Sequence, residues 1–227
     1  MIVAEDVTKD YVDGETVVHA LRGVSLQVDQ GEFISIAGPS GSGKSTLLNI
    51  IGCIDTASGG RVHIDEEEVT GHAPREMTLL RRRKIGFVFQ SFNLIPVLTA
   101  YENVAFSLML LGLDDSEAEP RVRAILEEVG LAGMEDRLPA KLSGGQQQRV
   151  AVARALVKEP TIVLADEPTA NLDSDTGQSI LELMRELNRR RETTFIFSTH
   201  DRMVMDFADR LALLHDGRIV EDNRRTA

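Results

Sequence analysis

The chain has 227 residues, of which 25 are basic and 36 acidic, so its formal net charge is −11. Hydrophobic residues make up 42% of it and charged residues 27%, which is typical of a packed globular protein and excludes a disordered or collagen-like chain. The net charge disfavours nucleic-acid binding, and the basic runs Arg81–Lys84 and Arg189–Arg191 contain no aromatic residues. Cys53 is the only cysteine, so an intrachain disulfide is excluded and a reducing compartment is favoured.

No stretch of the sequence is long enough to cross a membrane as a helix. The longest nearly apolar segment is Val104–Leu113, whereas a spanning helix needs about 20 apolar residues. The first residues lack the basic and then apolar pattern of an export signal. We therefore expect a cytoplasmic chain, and work at a membrane would require a partner that supplies the membrane-spanning segments.

The predicted elements alternate between strands and helices. Residues 2–28 favour strands, with turns at 13–14 and 30–31. Apolar runs rich in β-branched residues predict four buried strands, at Phe33–Ala37, Ile85–Phe89, Ile162–Ala165 and Thr194–Ser198. Apolar residues recur with helical spacing at 122–129 and 180–187, and the stretch 91–142 is mainly helical. This alternation predicts an α/β fold with a parallel sheet.

A phosphate-binding loop is predicted where Gly38–Ser45, with the sequence GPSGSGKS, fits G-x-x-x-x-G-K-[ST] between a strand and a helix. Glycines let the backbone N–H groups wrap closely around a phosphate, and the helix N-terminus adds donors and a positive dipole. Lys44 is suited to neutralise the β- and γ-phosphates and Ser45 to ligate Mg²⁺. The expected nucleotide-binding residues here are Gly38, Ser40, Gly41, Ser42, Gly43, Lys44, Ser45 and Thr46.

Two acidic residues, Asp166 and Glu167, directly follow a predicted buried strand. The carboxyl ends of parallel strands meet at the edge of the sheet where the phosphate loop lies. Asp166 is suited to hold Mg²⁺, directly or through water, and Glu167 to orient an attacking water and accept its proton. The alternative is a solvated pair that opens a turn before Pro168.

A second glycine-rich helix start lies at Leu142–Gln146, with the sequence LSGGQ. Ser143 is a candidate N-cap, and the two glycines leave backbone N–H groups open. The residues alone leave two interpretations, a second anion-binding helix terminus or an ordinary capped helix.

LSGGQ resembles the signature motif of the ATP-binding-cassette (ABC) ATPases, and the other motifs of that family occur in the family's order. Tyr11 matches the adenine-stacking aromatic residue, Gln90 the Q-loop glutamine, Asn171–Asp173 the D-loop and His200 the switch histidine. Without this resemblance, Tyr11 would be a surface residue, Gln90 a polar strand end, and Asp173 and His200 helix caps. The resemblance covers nearly the whole chain.

The resemblance implies one ABC-type P-loop ATPase domain. It would have a mainly parallel central sheet, an N-terminal antiparallel part and a helical subdomain at about 91–142, beside a core of about 1–90 and 143–227. It implies ATP and Mg²⁺ as cofactors. The implied magnesium ligands are Ser45, Gln90 and Asp166. The implied catalytic residues are Glu167, His200, Lys44 and Gln90.

In this family, Ser143 and Gly145 of a second subunit complete the site on the γ-phosphate, and Gln146 is counted with them among the nucleotide-binding residues. The resemblance therefore implies a head-to-tail homodimer that encloses two ATP molecules and that hydrolysis weakens. The further partners would be integral membrane permease subunits, which would place the chain at the cytoplasmic face of the membrane.

Several segments are similar to the lipoprotein-release and macrolide-export group, among them 48–54, 86–90 and 98–104. Residues 91–96, SFNLIP, depart from the His-His-Leu-Leu-Pro-like sequence of lipoprotein-release subunits, so the cargo stays open between export and lipoprotein or peptide release. The alternatives are a mechanically coupled ATPase of cell-division or peptide-resistance type, a soluble non-transport ABC ATPase, and a nucleotide-binding scaffold without hydrolysis.

Overall fold

The computed structural model describes residues 1–14 and 16–224. The chain forms two compact units, the first made of Met1–Arg81 and the segment from Thr194 onward, the second of Arg82–Thr193. Among the described residues, no helix has both the length and the apolar character that crossing a membrane requires.

The elements of the described chain follow in order. They are β1 (Ile2–Asp13), β2 (Thr16–Val28), β3 (Phe33–Ala37), α1 (Lys44–Ile51), β4 (Gly59–Ile64), β5 (Glu67–Glu68), α2 (Pro74–Lys84), β6 (Ile85–Phe89), α3 (Ala100–Met109), α4 (Asp115–Glu128), a 3₁₀ turn (Pro139–Lys141), α5 (Gly144–Leu156), β7 (Ile162–Asp166), α6 (Ser174–Arg191), β8 (Thr194–Thr199), α7 (Arg202–Phe207), β9 (Arg210–His215) and β10 (Arg218–Arg224).

The first unit contains two groups of paired strands. One is an antiparallel sheet in the order β2-β1-β4-β5. In the other, β3 is parallel to β8 and to β9, and β10 is antiparallel to β9. All five residues of β3 are buried, as expected for a strand covered on both faces. Phe33 packs against Phe197 and Phe195 with ring centroids 4.6 and 5.7 Å apart, which places the core of this unit around β3 and β8.

The second unit contains the parallel pair β6–β7 and most of the helices. The N–H groups in the first turn of a helix have no acceptors inside the helix. At the start of these helices, polar side chains accept hydrogen bonds from them. Thr99 forms a capping box with Glu102 at α3, and Asp114 caps α4. The apolar face predicted at 180–187 is buried in α6.

The predicted α/β class is confirmed, with an antiparallel sheet and mostly parallel pairing elsewhere. Two details differ from expectation. The sequence predicts the last strand at Arg218–Val220, whereas β10 continues to Arg224, because it is an antiparallel edge partner of β9 and needs no continuous apolar run. Helix α2 was not predicted, because only Met77 and Leu80 of its eleven residues are buried. The basic run Arg81–Lys84 favours a solvated face, but Arg81 donates to the carbonyl oxygen of Cys53 at 2.7 Å.

Candidate nucleotide-binding and catalytic residues

The phosphate loop joins β3 to α1 in the first unit. Its last glycine, Gly43, has a left-handed φ of +104°, and a Cβ atom there would lie 2.6 Å from the carbonyl oxygen of Ala20. Glycine is therefore required by both conformation and space. Helix α1 begins at Lys44, directly after a residue with no capping side chain, so its first N–H groups are suited to bind an anion.

Two of the polar side chains of this loop, those of Ser42 and Lys44, are buried. Lys44 is 8% exposed, and its ammonium donates to the carbonyl oxygens of Gly38 and Pro39 at 2.8 and 2.9 Å. The hydroxyl of Ser42 is buried with no hydrogen-bond partner among the described residues. A buried orphan hydroxyl and a cation whose hydrogen-bond partners within the described chain are neutral carbonyls both favour an anionic ligand at this loop.

Tyr11 lies in the antiparallel sheet of the same unit. It is directly opposite Val18 on the neighbouring strand, and the two side chains are 41% and 55% exposed. The Tyr11 hydroxyl donates to Oδ2 of Asp55 at 2.8 Å, and the Asp55 N–H donates to the carbonyl oxygen of Asn49 in α1 at 3.1 Å. An exposed aromatic ring is thus connected to the helix that follows the loop.

His200 follows β8 directly. Ala37 and Thr199 are register partners in the parallel pair β3–β8, so the phosphate loop and His200 start from the same edge of the sheet. The interpretation of His200 as a helix cap is wrong, because Asp201 caps α7 by accepting the Met203 N–H at 2.9 Å.

In the second unit, two parallel strands bring together the acidic pair and Gln90. Phe89 is the register partner of Asp166. Gln90 and Glu167, the next residue on each strand, therefore lie at the same end of the pair. The side chain of Asn171, at the start of the predicted D-loop, donates to the carbonyl oxygen of Gln90 at 3.0 Å. Gln90 therefore meets the acidic pair and the D-loop at one strand edge, although Asn171 lies 81 residues further along the sequence.

Glu167 has a left-handed backbone with a φ of +48°, which is unfavourable for a residue with a Cβ atom. The next residue, Pro168, accepts a hydrogen bond at 2.6 Å from the side-chain amide of Gln148 on α5. Gln148 is fully buried. The helix that starts at LSGGQ is therefore bonded to the main chain next to Glu167.

LSGGQ itself forms a capped helix start. The Ser143 hydroxyl oxygen accepts the Gln146 N–H at 3.3 Å, and Oε1 of Gln146 accepts the Ser143 N–H at 2.9 Å, which is a capping box. Because Ser143 uses its oxygen as acceptor and is exposed, its hydroxyl proton can still be donated to an anion. A Cβ atom on Gly145 would lie 2.5 Å from the side chain of Thr176, so packing requires glycine there.

Asp173 caps α6, as one of its two interpretations predicts. Its carboxylate accepts the backbone N–H of Thr176 at 3.0 Å and the hydroxyl of the same residue at 2.7 Å. These hydrogen bonds hold the pKa of Asp173 below its ordinary value. The cap keeps the D-loop next to the start of α5, where Gly144 approaches Leu172 and Asn171.

Each unit thus gathers part of the predicted site. The first unit contains Tyr11, the phosphate loop and His200, and the second contains Gln90, Asp166, Glu167 and the LSGGQ helix. Sequence reasoning missed four residues that contact these motifs, namely Lys9, Asp55, Gln148 and Arg154. Gln148 and Arg154 lie in a helix whose motif was recognised, but nothing in the sequence identifies which of its polar side chains turn inward.

Known proteins similar to this chain identify its family. The model of the ABC transporter family matches residues 21–170. An uncharacterized ABC transporter ATP-binding protein of Methanocaldococcus jannaschii, MJ0796, is 48% identical over 99% of this chain and 97% of its own length. The macrolide export ATP-binding/permease protein MacB of Brucella melitensis is 45% identical over 99% of this chain, which spans 35% of that protein.

The solved structures give the same result. One of them is the dimeric structure of MJ0796 in a post-hydrolysis state, bound to ADP and Pi. It matches this chain with a TM-score of 0.91 and 45% sequence identity, and the match covers 100% of each chain. Fold, phosphate loop and relatives define a nucleotide-binding ATPase of the P-loop class. The chain belongs to the ABC transporter ATPase family, and it is the ATP-binding and ATP-hydrolysing subunit of such a transporter. The non-transport alternatives are not favoured by these relatives.

Proposed function

We propose that this chain powers a membrane permease by closing as a homodimer on two ATP molecules and opening after hydrolysis. The observation that carries the proposal is the phosphate loop, with its buried Lys44 and the uncapped start of α1. Lys44 and the loop N–H groups would bind the β- and γ-phosphates, and Tyr11 would stack on adenine. The loop residues proposed to contact the nucleotide are Gly38, Ser40, Gly41, Ser42, Gly43, Lys44, Ser45 and Thr46.

The site residues fit magnesium. Ser45, Gln90 and Asp166 offer hydroxyl, amide and carboxylate oxygens, the hard ligands that Mg²⁺ prefers together with phosphate and water. Among the described residues no group of three His, Cys, Asp or Glu side chains could hold a metal ion by itself. Bound there, Mg²⁺ would neutralise charge on the phosphates.

Glu167 would orient the attacking water and accept its proton, and His200 would assist at the γ-phosphate. Support for Glu167 comes from its position directly after β7 and from the hydrogen bond that Gln148 makes to the next residue. Gln90 would contact the γ-phosphate and Mg²⁺. The hydrogen bond from the Asn171 side chain to its carbonyl oxygen would link this contact to the D-loop.

The second copy would complete each site through LSGGQ. Ser143 is exposed and retains a hydroxyl proton, and Gly145 and Gln146 lie in the first turn of α5, where N–H groups favour anions. Asp173 of the D-loop would contact the second copy across the dimer interface. MJ0796 has been solved as a dimer, which supports the same assembly for this chain.

The further partner would be an integral membrane permease. MacB joins an ATP-binding and a permease part in one protein, as its name states, and the present chain matches about a third of it. We propose export, or release of a lipoprotein or peptide, at the cytoplasmic face of the membrane. Residues 91–142 would form a helical subdomain beside a core of 1–90 and 143–227, and this subdomain would receive the permease.

Glu167→Gln tests the proposal. Removing the base should abolish most turnover and leave ATP binding intact, so the variant should accumulate as an ATP-bound dimer in size-exclusion chromatography with light scattering. Glu159→Gln, at a position before β7 that has a left-handed φ like that of Glu167, is the matched control and should behave as wild type. Near-normal phosphate release by Glu167→Gln would remove this residue from the base role.

A further inference from the structure

The Tyr11 ring is fixed by two residues that no motif includes. Its hydroxyl donates to Oδ2 of Asp55 at 2.8 Å. The ammonium of Lys9 lies over the ring, 4.9 Å from its centroid, and donates to Oδ1 of the same Asp55 at 2.6 Å. All three residues belong to the first unit, and together they form a closed cluster of ring, cation and carboxylate.

Lys9 occupies one face of the ring. It is 8% exposed, and besides Asp55 and the ring it donates to the carbonyl oxygen of Thr56 at 2.7 Å. An ammonium has three donors, and here each has a partner, the third being the negative face of the aromatic ring. Only the opposite face of Tyr11 is therefore left for a planar ligand.

Asp55 connects the ring to α1. Its backbone N–H donates to the carbonyl oxygen of Asn49 in that helix at 3.1 Å. Burial alone would raise the pKa of Asp55, but hydrogen bonds from Lys9, Tyr11 and the Thr56 N–H outweigh it and hold the pKa below its ordinary value. The carboxylate is thus ionised at neutral pH.

We propose that Asp55 is a positioning residue for the nucleotide base: it orients the Tyr11 ring relative to the phosphate loop, and with Lys9 it leaves one face of the ring for adenine. This inference rests on the proposed role of Tyr11 as the adenine platform. Asp55 acts through Tyr11 and does not touch the phosphates, so it should affect ligands that carry a base and spare those that do not.

Calorimetric binding of ADP and of inorganic pyrophosphate, both with Mg²⁺, separates these effects. Tyr11→Phe keeps the ring and removes its anchor, Asp55→Ala removes the acceptor, and Tyr11→Ala removes the ring. We expect the first two to weaken ADP binding about three- to tenfold, the value of one hydrogen bond, and to leave pyrophosphate binding unchanged. The double variant Tyr11→Phe with Asp55→Ala should bind ADP no more weakly than Asp55→Ala alone.

Asp10→Ala is the matched control, because it removes a carboxylate next to Tyr11 that pairs with His19 at 2.8 Å instead. It should bind both ligands as wild type does. The inference would be overturned if Asp55→Ala weakened ADP and pyrophosphate binding equally, or if Tyr11→Phe left ADP binding unchanged. Should Asp55→Ala fail to fold, the Tyr11→Phe result decides. Unchanged ADP binding in Tyr11→Ala would instead reject the adenine platform of the proposed function.

Discussion

The guanidinium of Arg154 donates a hydrogen bond to the carbonyl oxygen of Phe92 at 2.7 Å. A second one goes to the carbonyl oxygen of Asn93, and both acceptor residues have a left-handed φ, +61° and +48°. Such conformations are unfavourable for residues other than glycine and persist where surrounding contacts fix them. Since Arg154 lies on α5, the helix begun by LSGGQ stabilises the segment that directly follows Gln90.

Arg154→Lys should slow turnover without weakening nucleotide binding. Lysine keeps the charge but lacks the planar fork that reaches two carbonyls, so the segment after Gln90 would lose its fixed conformation. We expect kcat to fall about tenfold and KM for ATP to stay within about twofold, the pattern of an interaction that acts on the chemical step. Arg123→Lys, at an exposed position of α4, is the control; wild-type kcat in Arg154→Lys would contradict this role.

Gln148→Met should reduce both stability and turnover. The substitution keeps the volume of a buried side chain but leaves the carbonyl oxygen of Pro168 without its donor, which costs about 1–3 kcal/mol of unfolding free energy. Because the neighbouring Glu167 is strained, kcat should fall as well, while ADP affinity stays as in wild type. Denaturant unfolding and phosphate release measure the two effects. Gln178→Met, at an exposed site, should change neither, and a Gln148→Met enzyme that is less stable but fully active would separate Gln148 from Glu167.

Gly43→Ala should destabilise the chain more than Gly41→Ala does. Both glycines have a left-handed φ, but a Cβ atom on Gly43 would lie within 2.9 Å of Ala20 and Leu21, whereas nothing lies within 4 Å of one on Gly41. Gly41→Ala should therefore cost only the conformational term of about 1–2 kcal/mol, and Gly43→Ala clearly more. Thermal unfolding without nucleotide compares them, and equal losses would show that the steric argument is wrong.

Tyr11 should titrate above the ordinary tyrosine range. Burial first, and then the hydrogen bond to Asp55, raise its pKa above 10. The folded state therefore holds the Tyr11 proton to a higher pH than the unfolded state does. The resulting contribution to the free energy of unfolding is complete below about pH 10 and is lost as the pH rises through the raised pKa. The chain has two tyrosines and no tryptophan, so in Tyr101→Phe the phenolate absorbance near 295 nm reports Tyr11 alone. Adding Asp55→Ala should lower the midpoint, and an unchanged midpoint would contradict the assigned cause.

The motifs that depend on local sequence could be predicted. The glycines and lysine of the phosphate loop, and Ser143 with Gln146, act within a few residues of each other, so spacing alone identifies them. The contacts of Asp55 with Lys9 and of Gln148 with Pro168 join residues 46 and 20 positions apart. These depend on strand pairing and helix packing, and no periodicity in the sequence reports which polar side chain will meet which partner.

One copy of this chain, as proposed above, lacks part of its own catalytic site. The most direct measurement is the specific rate of phosphate release at saturating ATP and Mg²⁺ over a dilution series, with the monomer fraction followed by analytical ultracentrifugation. If LSGGQ of a second copy completes each site, the specific rate should fall in proportion to the dimer fraction, and Ser143→Arg should be inactive at every concentration with ADP affinity unchanged. A specific rate that stays constant where only monomer sediments would contradict the account.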